Sequence, residues 1–397
     1  MVYKTASNGP NKTTVSSKNH ISYLDTLRGL AALAVVSEHY VIAYGLPCVS
    51  PSCQHLLDFS PLHIWWDGGA AVSMFFVLSG VVLSLRYFRT GHVPDLSEFK
   101  LARFIINRMF RIWLPYCWVL IISAGLFTQT HSSEIIKTAL PPSDWITGMW
   151  RNNPLNGYDM LREGFLLKLP DLIVLLPQAW TLSIELVLSL LLPVGLLLAG
   201  RGSAWLIFFG LLATSLLGVS IFLLHFLLGL GIARHYTDLV RYFAGRPWHR
   251  RSLLLLGLMF YTCATFVPAK IVGSTAIWLG TGLGAGMILM FVLGSKHAQT
   301  LLSVPFLRQI GKVSYSAYLC HMAILICLTP HLLNILAAVT ENHFLLWLGG
   351  WLLTIVCVQA VSLLLYHWLE MPSMAIGRRV TDWIAAVCER GKRQLTH

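Results

Sequence analysis

The chain has 397 residues, 56% of them hydrophobic and 12% charged, with a mean hydropathy of +0.66 and a formal net charge of +12. A soluble domain cannot hide that much apolar surface, so the composition excludes one and predicts an all-α, polytopic transmembrane bundle. The excess of base does not point to nucleic acid, because the basic residues cluster between apolar runs, as they do in cytoplasmic loops.

Residues 1–22 are polar, rich in Ser, Thr, Asn and Lys, and are expected to form a disordered cytoplasmic tail. They hold no apolar signal-peptide core, so the first span is expected to act as an uncleaved signal anchor. The Asn11-Lys-Thr13 sequon then lies on the cytoplasmic side and is expected to stay unglycosylated. About ten spans follow, near 24–44, 70–88, 103–127, 177–199, 203–220, 221–235, 252–267, 273–294, 312–338 and 345–368. They make a membrane domain over 23–372, followed by a basic cytoplasmic tail over 373–397. Neither an internal repeat nor a pair of broken helices is expected.

The first span carries Arg28 and His39, eleven residues apart. At helical rise they stand roughly 16 Å apart, about half the hydrocarbon thickness. An ionisable side chain in a bilayer is costly and usually serves a pathway or a chemical step. Snorkelling of Arg28 and a helix-to-helix bond from His39 are the competing reading. The loop after this span has Asp58 and Asp67 and no Lys or Arg. It also holds Cys48 and Cys53, which allow either a small disulfide or two free thiols. No Cys or His spacing suggests a metal.

Arg86, Arg89, Lys100 and Arg103 follow the second span, and Arg234, Arg241, Arg246, Arg250 and Arg251 follow the sixth. Lys296, Arg308 and Lys312 follow the eighth, and the tail carries Arg378, Arg379, Arg390, Lys392 and Arg393. All fall on one side if both termini are cytoplasmic. Arg108 and Arg111 share a face of the third span, one to two turns inside its cytoplasmic boundary. Two guanidiniums there suit a phosphate-bearing ligand arriving from the cytoplasm, with Arg28 joining the same mouth. Arginines bound to lipid headgroups are the alternative. The long 128–176 loop contains Pro141-Pro142, Trp145, Trp150 and an apolar run over Leu166–Leu176. It is expected to be a partly helical cap on the outer face, over an acceptor site or simply as a connector.

The fourth span brings Glu185, a carboxylate in an apolar helix that demands a partner. Counted from the outer boundary its depth matches that of His39, so the two are expected to pair as base and orienting carboxylate. Glu38 is next to His39 in sequence and so points away from its face. In the ninth span Ser314, Tyr318 and His321 fall near one stripe, with Tyr315 beside it. They are expected to line a substrate channel, or else to bind helices together.

Together these segments resemble the acyltransferase 3 family of multi-pass membrane O-acyltransferases, over about residues 22–380. The resemblance rests on Tyr23-Leu-Asp-Thr-Leu-Arg-Gly-Leu-Ala-Ala-Leu with His39, Phe75-Phe-Val-Leu-Ser-Gly80, and the Arg108/Arg111 pair. It continues in Trp180-Thr-Leu-Ser-Ile-Glu185, where Thr181 replaces the usual Ser, in Gly311-Lys-Val-Ser-Tyr-Ser-Ala-Tyr-Leu-Cys-His321, and in Glu370-Met-Pro372. It implies transfer of an acyl group, most often acetyl, from acyl-CoA to a hydroxyl of a sugar, a glycolipid or a small metabolite. His39 would be the general base, and Arg108 and Arg111 would contact the CoA phosphates. A transporter of an acyl donor or glycolipid is the second reading, and a non-catalytic scaffold the third. The compartment expected is an endomembrane such as the ER in a eukaryote, or the inner membrane in a bacterium.

Overall fold

The computed structural model describes residues 22–394 apart from 49, 89–90, 98, 132–135, 153, 167–172 and 268, with side chains to residue 390. Arg89, the expected N-terminal tail with its sequon, and part of the 166–176 run therefore lie outside the described residues. All described elements are helical, as composition requires. Among the described residues, four helices are long and apolar enough to cross a bilayer: Gly68–Phe88, Leu101–His131, Ser274–Gly294 and the start of a continuous helix over His343–Arg390. The total is six if two bent helix pairs each count as one span. The helix Ser22–Tyr44 has the length, but it carries Asp25, Arg28 and Glu38. Ser203–Leu216 and Phe222–Arg234 are apolar but short, at 14 and 13 residues.

The bent pairs correct the expectation that no paired broken helices occur. Ala179–Leu190 turns by 53° into Leu192–Arg201, where Pro193 lies in the first turn of the second helix and has no N–H to continue the ladder. Pro305–Lys312 turns by 69° into Ser314–Cys327. That corner has a steric cause. A Cβ on Gly311 would run into the backbone of Asp25 and Thr26, and one on Gly29 into the backbone of Ile310 and Gly311. Two glycines thus let the Pro305–Lys312 helix cross the foot of the first helix at backbone contact. Gly80 and Gly229 do the same for the helices Gly68–Ser84 and Phe222–Arg234.

The first helix is central, packing on Gly68–Ser84, Pro305–Lys312 and Ser314–Cys327. Its C-terminal end is pinned by Tyr40, whose hydroxyl donates to the Trp347 carbonyl at 3.1 Å, and by Trp347 Nε1, which donates to the Gly45 carbonyl at 2.8 Å. Cys48 and Cys53 form a disulfide just beyond it, which settles the two alternatives open in the sequence.

The described residues of the 128–176 segment divide in two. The first part covers the Tyr44 end of the first helix, where the Ser143 amide donates to the Ala43 carbonyl at 2.8 Å and the short helix Asp144–Gly148 follows. The second part dips into the bundle beside Leu101–His131. Tyr116 donates to the Glu163 carbonyl and Trp113 to the Gly164 carbonyl, both at 2.8 Å. Tyr116 stands roughly 22 Å of helical rise before the end of its helix, so the helix Gly157–Gly164 reaches deep. Tyr158, Leu161 and Phe165, each 68% exposed, face away from the bundle.

A fully buried carboxylate holds this insertion in place. Glu163 accepts the Val174 amide at 2.5 Å and the Leu175 amide at 3.1 Å. Glu163→Ala strands two buried N–H groups, at about 1–3 kcal/mol each, and is expected to lower the thermal midpoint in detergent by several degrees. Glu163→Gln keeps one acceptor and should lose less. An unchanged midpoint in both variants would show that these bonds do not hold the insertion.

Candidate active site

Two polar poles are buried at different heights of the bundle, joined by one stripe of the Ser314–Cys327 helix. At the upper pole, His39 Nδ1 lies 3.1 Å from His321 Nε2, and His321 Nδ1 lies 2.8 Å from the Tyr318 carbonyl oxygen. Trp145, from the cap, lies parallel to the His39 ring, with centroids 5.6 Å apart and planes 4° apart. Tyr318 hydroxyl is 2.6 Å from Thr181 Oγ1, and Gln178 Nε2 donates to the Leu319 carbonyl at 2.9 Å. The cap thus closes over an imidazole whose ring is gripped from two sides.

At the lower pole stand Arg28, Arg108 and Arg111 with Glu185 and Glu370. Arg28 pairs with Asp25 at 3.4 Å, within one helix. Arg108 is buried, and both Arg28 and Arg108 lie in Coulombic range of Glu185 and of Arg111. Glu370 is buried, accepts the Ser316 hydroxyl at 2.8 Å and faces Arg111 and Arg28. Arg111 is the exposed member. Carboxylates therefore balance the buried cations, while Arg111 stays open to a ligand.

Between the poles run Tyr315, Tyr318 and His321, at i, i+3 and i+6 of one helix. Tyr315 donates to the Ile112 carbonyl at 2.5 Å, tying this stripe to the helix that bears Arg108 and Arg111. Ser314 is buried at the head of the same helix.

One expected pairing is replaced. Glu185 does not orient His39; it accepts from Ser79 Oγ at 3.5 Å and belongs to the arginine pole. The reason is where its helix begins. Gln178 already lies level with Tyr318 and Leu319, because the preceding segment is inserted in the bundle. Seven residues on, roughly 10 Å, Glu185 has been carried past the histidines. His321, expected only in the channel, takes the place beside His39. Glu38 faces the amides of Gly68 and Gly69 and caps that helix, away from His39.

Trp145, Gln178 and Glu370 enter the site without having been singled out for it. Trp145 had no local signal beyond an aromatic in a long loop. Glu370 lies in the Glu370-Met-Pro372 run, and Gln178 just ahead of Trp180, each as a polar residue in apolar surroundings.

A separate cluster brings potential metal-ligand atoms of His92, His235 and Asp238 within 4.8 Å of one another. A cation already occupies its flank: Arg234 Nη1 lies 3.2 Å from His235 Nε2, and Arg234 Nε donates to the Ala199 and His92 carbonyls. Burial, then the charges of Arg234 and His92, hold His235 below the usual imidazole range. With His92 Nε2 at 3.1 Å from Asp238, the cluster clasps the loop of His92 to the start of the helix Tyr236–Ala244.

A family profile described as an acyltransferase domain matches residues 21–367, a stretch that contains both poles and the stripe between them. The chain belongs to the acyltransferase 3 family. No curated protein and no solved structure matches it. Of the residues that carry the resemblance, Arg28, His39, Arg108, Arg111, Glu185, Tyr315, Tyr318, His321 and Glu370 stand at the two poles or on the stripe between them, whereas Gly80 serves helix packing and Trp180, 39% exposed, packs on Phe222.

Proposed function

We propose that this membrane acyltransferase moves an acyl group, acetyl as the leading choice, from acyl-CoA to a hydroxyl of a carbohydrate, glycolipid or small metabolite. The observation that carries the proposal is the pairing of an arginine pole with a capped imidazole along one polar stripe. The CoA phosphates would lie on Arg111, with Arg28 and Arg108 behind it, and the pantetheine arm would run past Tyr315 and Tyr318 towards His39. His39 takes the acceptor's proton as its oxygen attacks the thioester carbonyl. The tetrahedral intermediate expels the CoA thiolate, which takes that proton back from His39, so atoms and charge balance. No metal enters this scheme.

The topology that fits is the ten-span one with both termini cytoplasmic, in an endomembrane or a bacterial inner membrane. CoA then meets the arginines from the cytoplasm, and the acceptor meets His39 from the other face. The two bent helices, which meet where Gln178 touches Tyr318, favour transport of an acyl donor or glycolipid as the second reading.

The test is loss of acetyl-CoA thioester by the purified protein, with and without a panel of sugars and small alcohols, beside direct CoA binding. Acceptor-dependent loss supports transfer. CoA uptake into proteoliposomes without thioester loss supports transport, and failure to bind CoA rejects both. Trp145→Ala should expose His39 to water. With ring stacking worth about 0.5–1.5 kcal/mol, acceptor-independent hydrolysis should rise roughly 3–10-fold relative to transfer. A constant ratio of hydrolysis to transfer would show that Trp145 does not shield the base.

A further inference from the structure

We propose that His321 is a positioning residue for His39: its bare Nε2 accepts the Nδ1–H of His39 and leaves His39 Nε2 free to take a proton. The consequence for catalysis rests on the acyltransferase reading given above. The tautomer assignment does not.

The acceptors place the protons. The Tyr318 carbonyl, 2.8 Å from His321 Nδ1, has no hydrogen to give, so Nδ1 carries one. The Ala317 carbonyl faces the same ring. His321 is fully buried, and its hydrogen-bond partners are a carbonyl and an imidazole, so it is neutral and Nε2 holds a lone pair. That lone pair faces His39 Nδ1 at 3.1 Å. Two lone pairs at this distance repel, so His39 carries its hydrogen at Nδ1. The His321 lone pair thus selects one tautomer, and His39 Nε2 is left bare.

Gln178 makes the arrangement rigid. Its amide nitrogen donates to the Leu319 carbonyl at 2.9 Å and to the Tyr318 carbonyl at 3.3 Å, so the turn that anchors His321 is itself held. When His39 Nε2 takes the acceptor's proton, the Nδ1–H···Nε2 bond to His321 becomes charge-assisted and strengthens. The charge remains on His39 until Nε2 returns the proton to the departing thiolate. A neutral imidazole here has the place that a carboxylate takes in a serine-hydrolase triad. It orients the base without neutralising it.

The decisive measurement is 15N-histidine solid-state NMR of the wild-type protein in lipid, with His39→Ala used to assign the His39 signals. The expected pattern is a protonated Nδ1 and a bare Nε2 at His39; a proton on Nε2 overturns the proposal. The kinetic arm uses variants of matched thermal stability. His321→Leu is expected to lower kcat about 10–100-fold with acyl-CoA KM unchanged, whereas His321→Gln, whose amide oxygen can accept, should recover most of the loss. Wild-type kcat in His321→Leu, or equal losses in both variants, also overturns it. If the wild type turns over no acyl-CoA, the functional reading fails while the NMR pattern still decides this proposal.

Discussion

His39→Ala is expected to lower acceptor-dependent thioester loss by about 10²–10⁴-fold, the range for a lost general base, and to leave CoA affinity unchanged. The two effects separate because Arg28 and His39 stand eleven residues apart on one helix, roughly 16 Å, too far for the CoA phosphates to reach the imidazole. Alanine also removes a hydrogen-bond donor from the buried His321 Nε2, at about 1–3 kcal/mol, so some thermal stability should go with the activity. His39→Gln separates these losses. Its amide N–H can still donate to His321, but it has no basic nitrogen. Its midpoint is expected to return towards wild type while its rate stays at the alanine level. A glutamine variant with a near-wild-type rate would remove His39 from the chemistry.

That His39 needs a polar neighbour was legible in the sequence, because an imidazole in an apolar helix is costly without one. Its partner was not. Depth was counted from span ends, which assumes that every helix starts at the membrane boundary. The helix of Glu185 starts within the bundle, at the level of Tyr318, and that count fails by about two turns. The same insertion hid the Gly157–Gly164 helix, since Tyr158, Leu161 and Phe165 at helical spacing are too few residues to announce an element facing away from the bundle. The corner at residue 313 depends on Gly29 and Gly311, which are far apart in the chain and meet only in the fold. Arg108 and Arg111 were legible as a shared face. The difference between them was not, because their exposure is set by Glu185 and Glu370 arriving from other helices.

That difference sets the second large effect. Arg111→Ala is expected to raise the acyl-CoA KM about 10–100-fold, since a charge-assisted hydrogen bond contributes roughly 1.5–3 kcal/mol. Its side chain is exposed, and the buried Glu370 that it faces keeps Arg28 and the Ser316 hydroxyl, so kcat should stay close to wild type and the thermal midpoint should fall by less than in Arg108→Ala. Arg108→Ala acts differently. Arg108 is 8% exposed and lies in Coulombic range of Glu185, so its removal empties a buried site and leaves that half-buried carboxylate with Arg28 but without one of its two cations. Loss of midpoint and of folded yield should therefore exceed any change in KM. Pairing it with Glu185→Gln removes that carboxylate's charge and should restore part of the midpoint. If Arg108→Ala and Arg111→Ala instead gave the same KM and the same midpoint, both guanidiniums would contact the donor equally. The carboxylates would then be counter-ions to the whole cluster, and the split between a supporting and a ligand-facing arginine would fall.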